Sequence, residues 1–508
     1  MLENIRRFFW FTTLKSSFTY TFVFFYSKMK MWTAIQKVKP IWFFDATGSI
    51  IKTIDKQKRP YLYSIVMHDP ETKTVVSLAD FITTSHTSIN ICKFLFMIMH
   101  DLKDNMSKAK GIRAIAPFVV TDHSMTLINA VIQTFNGCSI LEYLHYTYEL
   151  IFNGKNKESI EKILPTRLQI CAVHFLKIII KKAKLITKLE KLRHAFVFSF
   201  TLLQNATSIQ EFKRYLIHIH NLFMQPKFNG ACAVSLSIIG NELRNRQLYN
   251  NVNLHKESSS DDNSKNNKTV KFVALVENEL TNIELNSPFK AYFNKILRMS
   301  KSKIVTNKTY NVLGDAINEF YSPELFQVIS DRLYHVSMWS GLLIGQSALK
   351  NKTGGTTTRL DNNVGEDYFK ITKHDPELKN RRVMPSELSS SIYSRTLGKY
   401  SEFYEKNALY SQSAAKVSAQ TNGTVSQTSN SNLNFQLEKW KDEKQKRKSW
   451  QKSVYYKSVA NFNNISTDVD GELNGFNNLV ELNSVFGPSF DMISIESNVE
   501  YWPLDEVS

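Results

Sequence analysis

Residues 41–47, IWFFDAT, decide the fold. Four apolar, strand-favouring residues lead into an acid, Asp45, and Gly48 then permits a turn. A short apolar run bounded in this way predicts a buried strand with a carboxylate at its end. Downstream, 61–67 (YLYSIVM) and 74–82 (TVVSLADFI) predict two more strands, with a hairpin break at His68-Asp69-Pro70. Residues 87–105 change period. Ile91, Leu95, Ile98 and Leu102 share one helical face, and Thr87 is a candidate N-cap. Pro117 opens a strand over 118–121 (FVVT) that ends at Asp122. A helix from about Met125 to Phe135 follows, then a short apolar strand over 168–175 (LQICAVHF).

The order is three strands, helix, strand, helix, strand. It predicts an α/β domain with a mixed sheet flanked by helices, and it resembles the opening of a ribonuclease-H-like domain. From 176 to 350 the pattern is helical and Lys-rich, with a polar loop at 256–268 (KESSSDDNSKNNK), so a large, mostly helical insertion is expected. Residues 351–408 then complete the core. Asn362 and Asn363 mark a helix start, with Phe369 and Ile371 packing inward, and Pro385 caps a further helix over 386–406. Residues 409–508 are expected to form a disordered, basic tail. Within it, 411–434 is a Ser/Asn/Gln/Thr linker and 436–457 is a basic segment.

The 508 residues carry a formal net charge of +18, which favours a polyanionic partner such as nucleic acid. A Lys- and Asn-rich composition also follows from a biased genome, so charge alone does not decide. The four cysteines are scattered and form no disulfide framework, which fits a reducing compartment. Residues 8–26 are aromatic-rich, but Lys15 and several Ser and Thr interrupt them. No apolar run there reaches the ~18 residues of a spanning helix, so a strand or a truncated gene product is expected in 1–40, not a membrane anchor.

Asp45 and Asp122 fall at the ends of expected strands. Two acids so placed can share hard cations such as Mg²⁺ or Mn²⁺, and two such ions support phosphodiester cleavage. Either acid alone is as readily a turn residue or an N-cap. Glu366 sits in the first turn of the expected late helix, where an acid also complements the helix dipole. Cys171 and His174 form half a zinc site at best, and no second pair of suitable spacing is visible, so zinc is not expected and a buried Cys beside a hydrogen-bonded core His is the plainer reading.

The segments IWFFDATG, PFVVTDHS, QICAVHFLK and LDNNVGEDYF, in this order, resemble the core of transposases of the Mutator-like (MULE) group and their relatives. That resemblance covers roughly residues 40–405. It implies a ribonuclease-H-like core with Asp45, Asp122 and Glu366 as catalytic metal ligands for two Mg²⁺ or Mn²⁺ ions. It places Cys171 and His174 in a Cys-x-x-His motif of structural or DNA-proximal role. DNA is the implied partner, the nucleus the implied location, and assembly into a homo-oligomer is compatible with it. One departure stands out: Gly365 precedes Glu366 where the family has a larger residue, and Asp367 competes for the third role.

Lys370 and Lys373 would face a phosphate backbone, as would Lys446, Arg447 and Lys448 in a segment interleaved with Trp440, Trp450, Tyr455 and Tyr456. The same KQKRK run also reads as a nuclear-import signal. Two rivals remain. One is a DNA-binding protein of the same fold without activity, and the other is a membrane-associated protein acting through residues 8–26.

Overall fold

A computed structural model describes residues 20–24, 28–48, 50–53, 59–70, 72–106, 115–153, 159, 162–246, 282–306, 316–345, 360–375, 381–396, 398–399 and 401–403. The sheet is built from β1 (Tyr20–Phe24), β2 (Ile41–Thr47), β3 (Tyr61–Asp69), β4 (Thr74–Thr83), β5 (Phe118–Thr121) and β6 (Arg167–Ile170). Their spatial order is β1-β4-β3-β2-β5-β6. The β3–β4 hairpin and the β2–β3 and β1–β4 pairs are antiparallel, whereas β2–β5 and β5–β6 are parallel. The protein is therefore α/β with a mixed sheet.

IWFF is apolar on both faces because β2, paired on its two edges with β3 and β5, is also covered by helices on each face. Side chains alternate along it. Trp42 packs on Trp32 of helix α1 (Lys28–Val38), with ring centroids 6.0 Å apart, and on Phe135 of α3 (Met125–Asn136), at 5.7 Å. Phe44 meets Phe94 of α2 (Ser88–Met106) at 6.5 Å. Ile41 and Phe43 face the other way. They join a core with Phe118, Val120, Tyr368 and Phe369, and with Leu388 and Ile392 of a helix over 385–396. The period of two then puts Asp45 on the same face as Phe43, and Asp122 on the same side as Val120.

After β5 come α3 and α4 (Ile140–Phe152), which lead into β6. A capping box between Ser139 and Glu142 opens α4. From Ala172 onward the described elements are helical: α5 (Ala172–Ile186), α6 (Glu190–Asn205), α7 (Ile209–Met224), α8 (Gly230–Asn245), α9 (Pro288–Thr306), α10 (Pro323–Ser330), α11 (Val336–Trp339) and α12 (Leu342–Gly345). Stacked rings at Phe175, Phe200 and Trp339 tie α5, α6 and α11 together. Helix α13 (Asn363–Lys373) then returns to the sheet. The chain up to Thr396 belongs to one compact unit. A second, Leu397–Glu481, contributes described residues only at 398–399 and 401–403, which are helical.

Four details differ from the sequence reading. The strand expected over 168–175 stops at Ile170, and α5 begins at Ala172 with Cys171 as its N-cap residue. The continuous apolar run over 168–175 does not distinguish a buried strand from a buried helix turn. Asp45 is not the last residue of its strand, since pairing with β3 continues to Thr47. On α13 the buried face is Gly365, Tyr368, Phe369 and Thr372, while Ile371 is half exposed. At 100° per residue those four share an arc of about 100°, and Ile371 falls about 60° outside it. Asn362 precedes α13 but makes no side-chain cap bond.

Within the aromatic N-terminal stretch, Tyr20–Phe24 forms the edge strand β1. No helix among the described residues is long and apolar enough to cross a membrane. The linker at 411–434, the basic segment with Lys446, Arg447 and Lys448, and residues 1–19 lie outside the described residues.

Candidate metal centre

Phe44 of β2 pairs in parallel register with Thr121 of β5. Asp45 on β2 and Asp122, the residue just after β5, occupy the next position along these neighbours, and such strands run about 4.8 Å apart. Asp45 is 7% exposed, and its Oδ1 accepts a 2.7 Å hydrogen bond from the backbone N–H of Ala46. Burial, reinforced by the negative charge of Asp122, pushes the Asp45 carboxyl up from its ordinary 3.8 to about 7.

His174, in the first turn of α5, reaches both remaining acids. Its Nδ1 lies 2.6 Å from Oδ1 of Asp122 and its Nε2 lies 2.8 Å from Oε1 of Glu366. Hydrogen bonds with Asp122, Cys171 and Glu366 hold the imidazole as a cation, with its pKa raised to about 12. The bond from His174 in turn lowers the Glu366 carboxyl. Of the two acids competing for the third role, Glu366 is the one that meets His174.

Helix α13 is fastened at its start. The Asn362 N–H points at Sγ of Cys171, 3.1 Å away, and the Ala172 N–H donates to the Leu360 carbonyl at 3.0 Å. The turn at Cys171 thus holds two chain segments nearly two hundred residues apart. Asn362 is fully buried, and neither its Oδ1 nor its Nδ2 has a hydrogen-bond partner among the described residues. Gly365 explains its own presence. A Cβ there would lie 3.3 Å from the Asp45 Cβ and 2.8 Å from Asn362 Oδ1, so a larger residue requires the buried Asn362 side chain to shift and β2 and α13 to give by a few tenths of an ångström.

Further out, Tyr368 anchors the helix. Its hydroxyl donates at 2.8 Å to Asp80, a carboxylate only 1% exposed that also accepts from Ser64 and Ser77 at 2.6 Å each. The guanidinium of Arg395 lies over the Tyr368 ring, 4.9 Å from its centroid. Sequence reasoning missed Asp80. An acid inside the apolar run TVVSLADFI, with Ser77 three residues before it on the same strand and Ser64 opposite it on β3, was the available signal.

Two donor sets therefore overlap. Asp122, Cys171 and His174 present ligand atoms within 4.8 Å of one another, a group that could hold a metal ion. Asp45 and Glu366 stand beside that group without belonging to it: Glu366 meets His174, and Asp45 feels the charges of Asp122, His174 and Glu366. The sequence singled out Asp45, Asp122, Glu366, Cys171 and His174, and all five gather here. Lys370 and Lys373 stand exposed farther along α13, on the turns after Glu366.

No protein-family model matches the chain, and no curated protein matches it.

Proposed function

We propose that this chain is a cut-and-paste DNA transposase, or a domesticated derivative of one, with a ribonuclease-H-like core in which Asp45, Asp122 and Glu366 hold two divalent cations. The observation that carries this reading is the convergence of those acids: Asp122 and Glu366, far apart in sequence, share one imidazole, and Asp45 feels both charges. The resemblance to Mutator-like transposases puts the first acid on the first core strand, the second on the fourth and the third on a late helix. Here they stand on β2, just after β5, and on α13.

Donor chemistry fits the ions. Three carboxylates are hard oxygen ligands suited to Mg²⁺ or Mn²⁺. Burial, and after it the charge of Asp122, raises the Asp45 carboxyl, and His174 opposes that rise only in part. When bound, two such ions supply activation of water or of a 3′-hydroxyl and stabilisation of the leaving oxygen. The chain's own part is placement. Paired strands fix the carboxylates of Asp45 and Asp122, α13 brings Glu366 to them, and His174 balances the acids and holds a proton between them. Lys370 and Lys373 lie where a phosphate backbone would pass. Nuclear localisation and self-association belong to the same reading.

A second reading has one observation in its favour. Asp122, Cys171 and His174 form a mixed O/S/N set, which suits a softer transition ion with a structural role.

A plasmid-nicking assay tests the first reading. Purified protein with Mn²⁺ is expected to nick supercoiled DNA, and Asp122→Ala to abolish the nicking. Equal behaviour of the two proteins at saturating Mn²⁺ overturns the enzyme reading and leaves a DNA-binding protein of the same fold.

A further inference from the structure

Helix α5 has two unlike faces. Ala172, Phe175, Leu176, Ile179 and Ala183 are buried, at spacings of three, four and seven residues. On the opposite side, Lys177, Lys181 and Lys184 are exposed, and Lys188 is exposed just beyond the helix end. At 100° per residue, His174, Lys177, Lys181 and Lys184 fall within one arc of about 80°. No Asp or Glu stands between Ala172 and Leu189. The row therefore begins at the imidazole that touches Asp122 and Glu366 and continues away from it as lysines on a helix that carries no acid of its own. Lys177 is close enough to Glu366 to lower its carboxyl.

We propose that this face of α5 is a docking surface for a nucleic-acid phosphate backbone, leading one strand away from the metal centre. The inference rests on the DNA reading above and names the surface that reading lacks. Lys177 to Lys184 spans about 10 Å of helix axis at 1.5 Å per residue. That matches about three phosphate steps at 3.4 Å of axial rise per strand. Ammonium groups suit this role, because a point charge on a long stem follows a backbone without reading bases. The net charge of +18 supplies the matching long-range attraction. Leu185 and Leu189 are exposed at the far end of the row, which makes an anionic membrane surface the competing partner.

The test uses the full chain, a fluorescent duplex of 30 base pairs and EDTA, so that cleavage chemistry plays no part. Binding is measured over a salt series for wild type, for Lys177→Ala/Lys181→Ala/Lys184→Ala, and for a control, Lys37→Ala/Lys93→Ala/Lys295→Ala, with folding checked by circular dichroism. Each phosphate contact contributes about 0.9 to the slope of log K against log salt on B-DNA. The α5 variant is expected to lose about 2–3 from that slope and the control almost none. An unchanged slope in the α5 variant, with DNA still bound, overturns this inference and leaves the transposase reading standing. A wild-type chain that binds no DNA overturns both. Binding of phosphatidylserine vesicles instead of DNA, lost in the α5 variant, assigns the face to a membrane and also overturns the proposal.

Discussion

Gly365 lies against Asp45, close enough that a methyl group on its Cα would stand 3.3 Å from the Asp45 Cβ. In an ordinary helix, Gly→Ala stabilises by about 1 kcal/mol. Here the added atom would also come within 2.8 Å of the buried Asn362 Oδ1. Gly365→Ala is expected to destabilise the protein by about 1–3 kcal/mol in urea, as overpacking does, and to displace Glu366. An increase in stability would show that α13 does not press on β2.

Asp45 is expected to make stability depend on pH and, if the proposed centre holds, on cations. Its carboxyl titrates near 7 in the fold, against an ordinary 3.8. The folded state thus holds this proton more tightly than the unfolded chain. Between about pH 4 and pH 7 stability falls as pH rises. Asp45→Asn is expected to be the more stable protein at pH 8, by the order of a few kcal/mol, with the gap closing toward pH 4. In wild type at pH 8, Mg²⁺ or Mn²⁺ at a hundred times its dissociation constant should add about 2.7 kcal/mol. Thermal scans with and without metal check both statements. A wild type that stays the more stable at pH 8 contradicts them.

His174 carries the opposite dependence. Its pKa is raised to about 12. Its stabilising contribution is fully present below the unfolded value of 6.5 and is lost progressively as pH rises toward 12. The stability difference between wild type and His174→Gln is expected to be largest below pH 6.5 and to shrink above it. If carboxylates hold the ions, His174→Gln keeps its Mn²⁺ affinity in calorimetry. A tenfold loss would favour the mixed Asp122/Cys171/His174 site.

Much of this arrangement was legible in the sequence. The short apolar runs in IWFFDAT and FVVT placed two strands and their acids, because a buried strand leaves a plain apolar trace. The boundary at Cys171 was not legible, since LQICAVHF is apolar through both a strand end and a helix turn. Which face of α13 turns inward was also hidden: Ile371 is more apolar than Thr372, yet Tyr368 sets the phase by bonding to Asp80. The contact of His174 with both acids depends on a turn at Cys171 that only the folded chain reveals. Gly365 stood out in the sequence as an anomaly, and its cause is the proximity of Asp45.

Asp80 is expected to hold α13 in place. Three hydroxyls donate to its buried carboxylate, and such charge-assisted bonds contribute about 1.5–3 kcal/mol each. Allowing for non-additivity, Asp80→Ala should cost about 3–5 kcal/mol and Tyr368→Phe about 1.5–3 kcal/mol. Chemical denaturation checks the pair. A cost below 1 kcal/mol for Asp80→Ala would show that the network does not anchor the helix.

The proposed centre requires Asp45, Asp122 and Glu366 to share divalent ions. Crystals soaked in Mn²⁺ and examined by anomalous scattering test it most directly. The expected map has manganese peaks in contact with carboxylate oxygens of all three residues. Peaks confined to Asp122, Cys171 and His174, or no peak at saturating Mn²⁺, would contradict it.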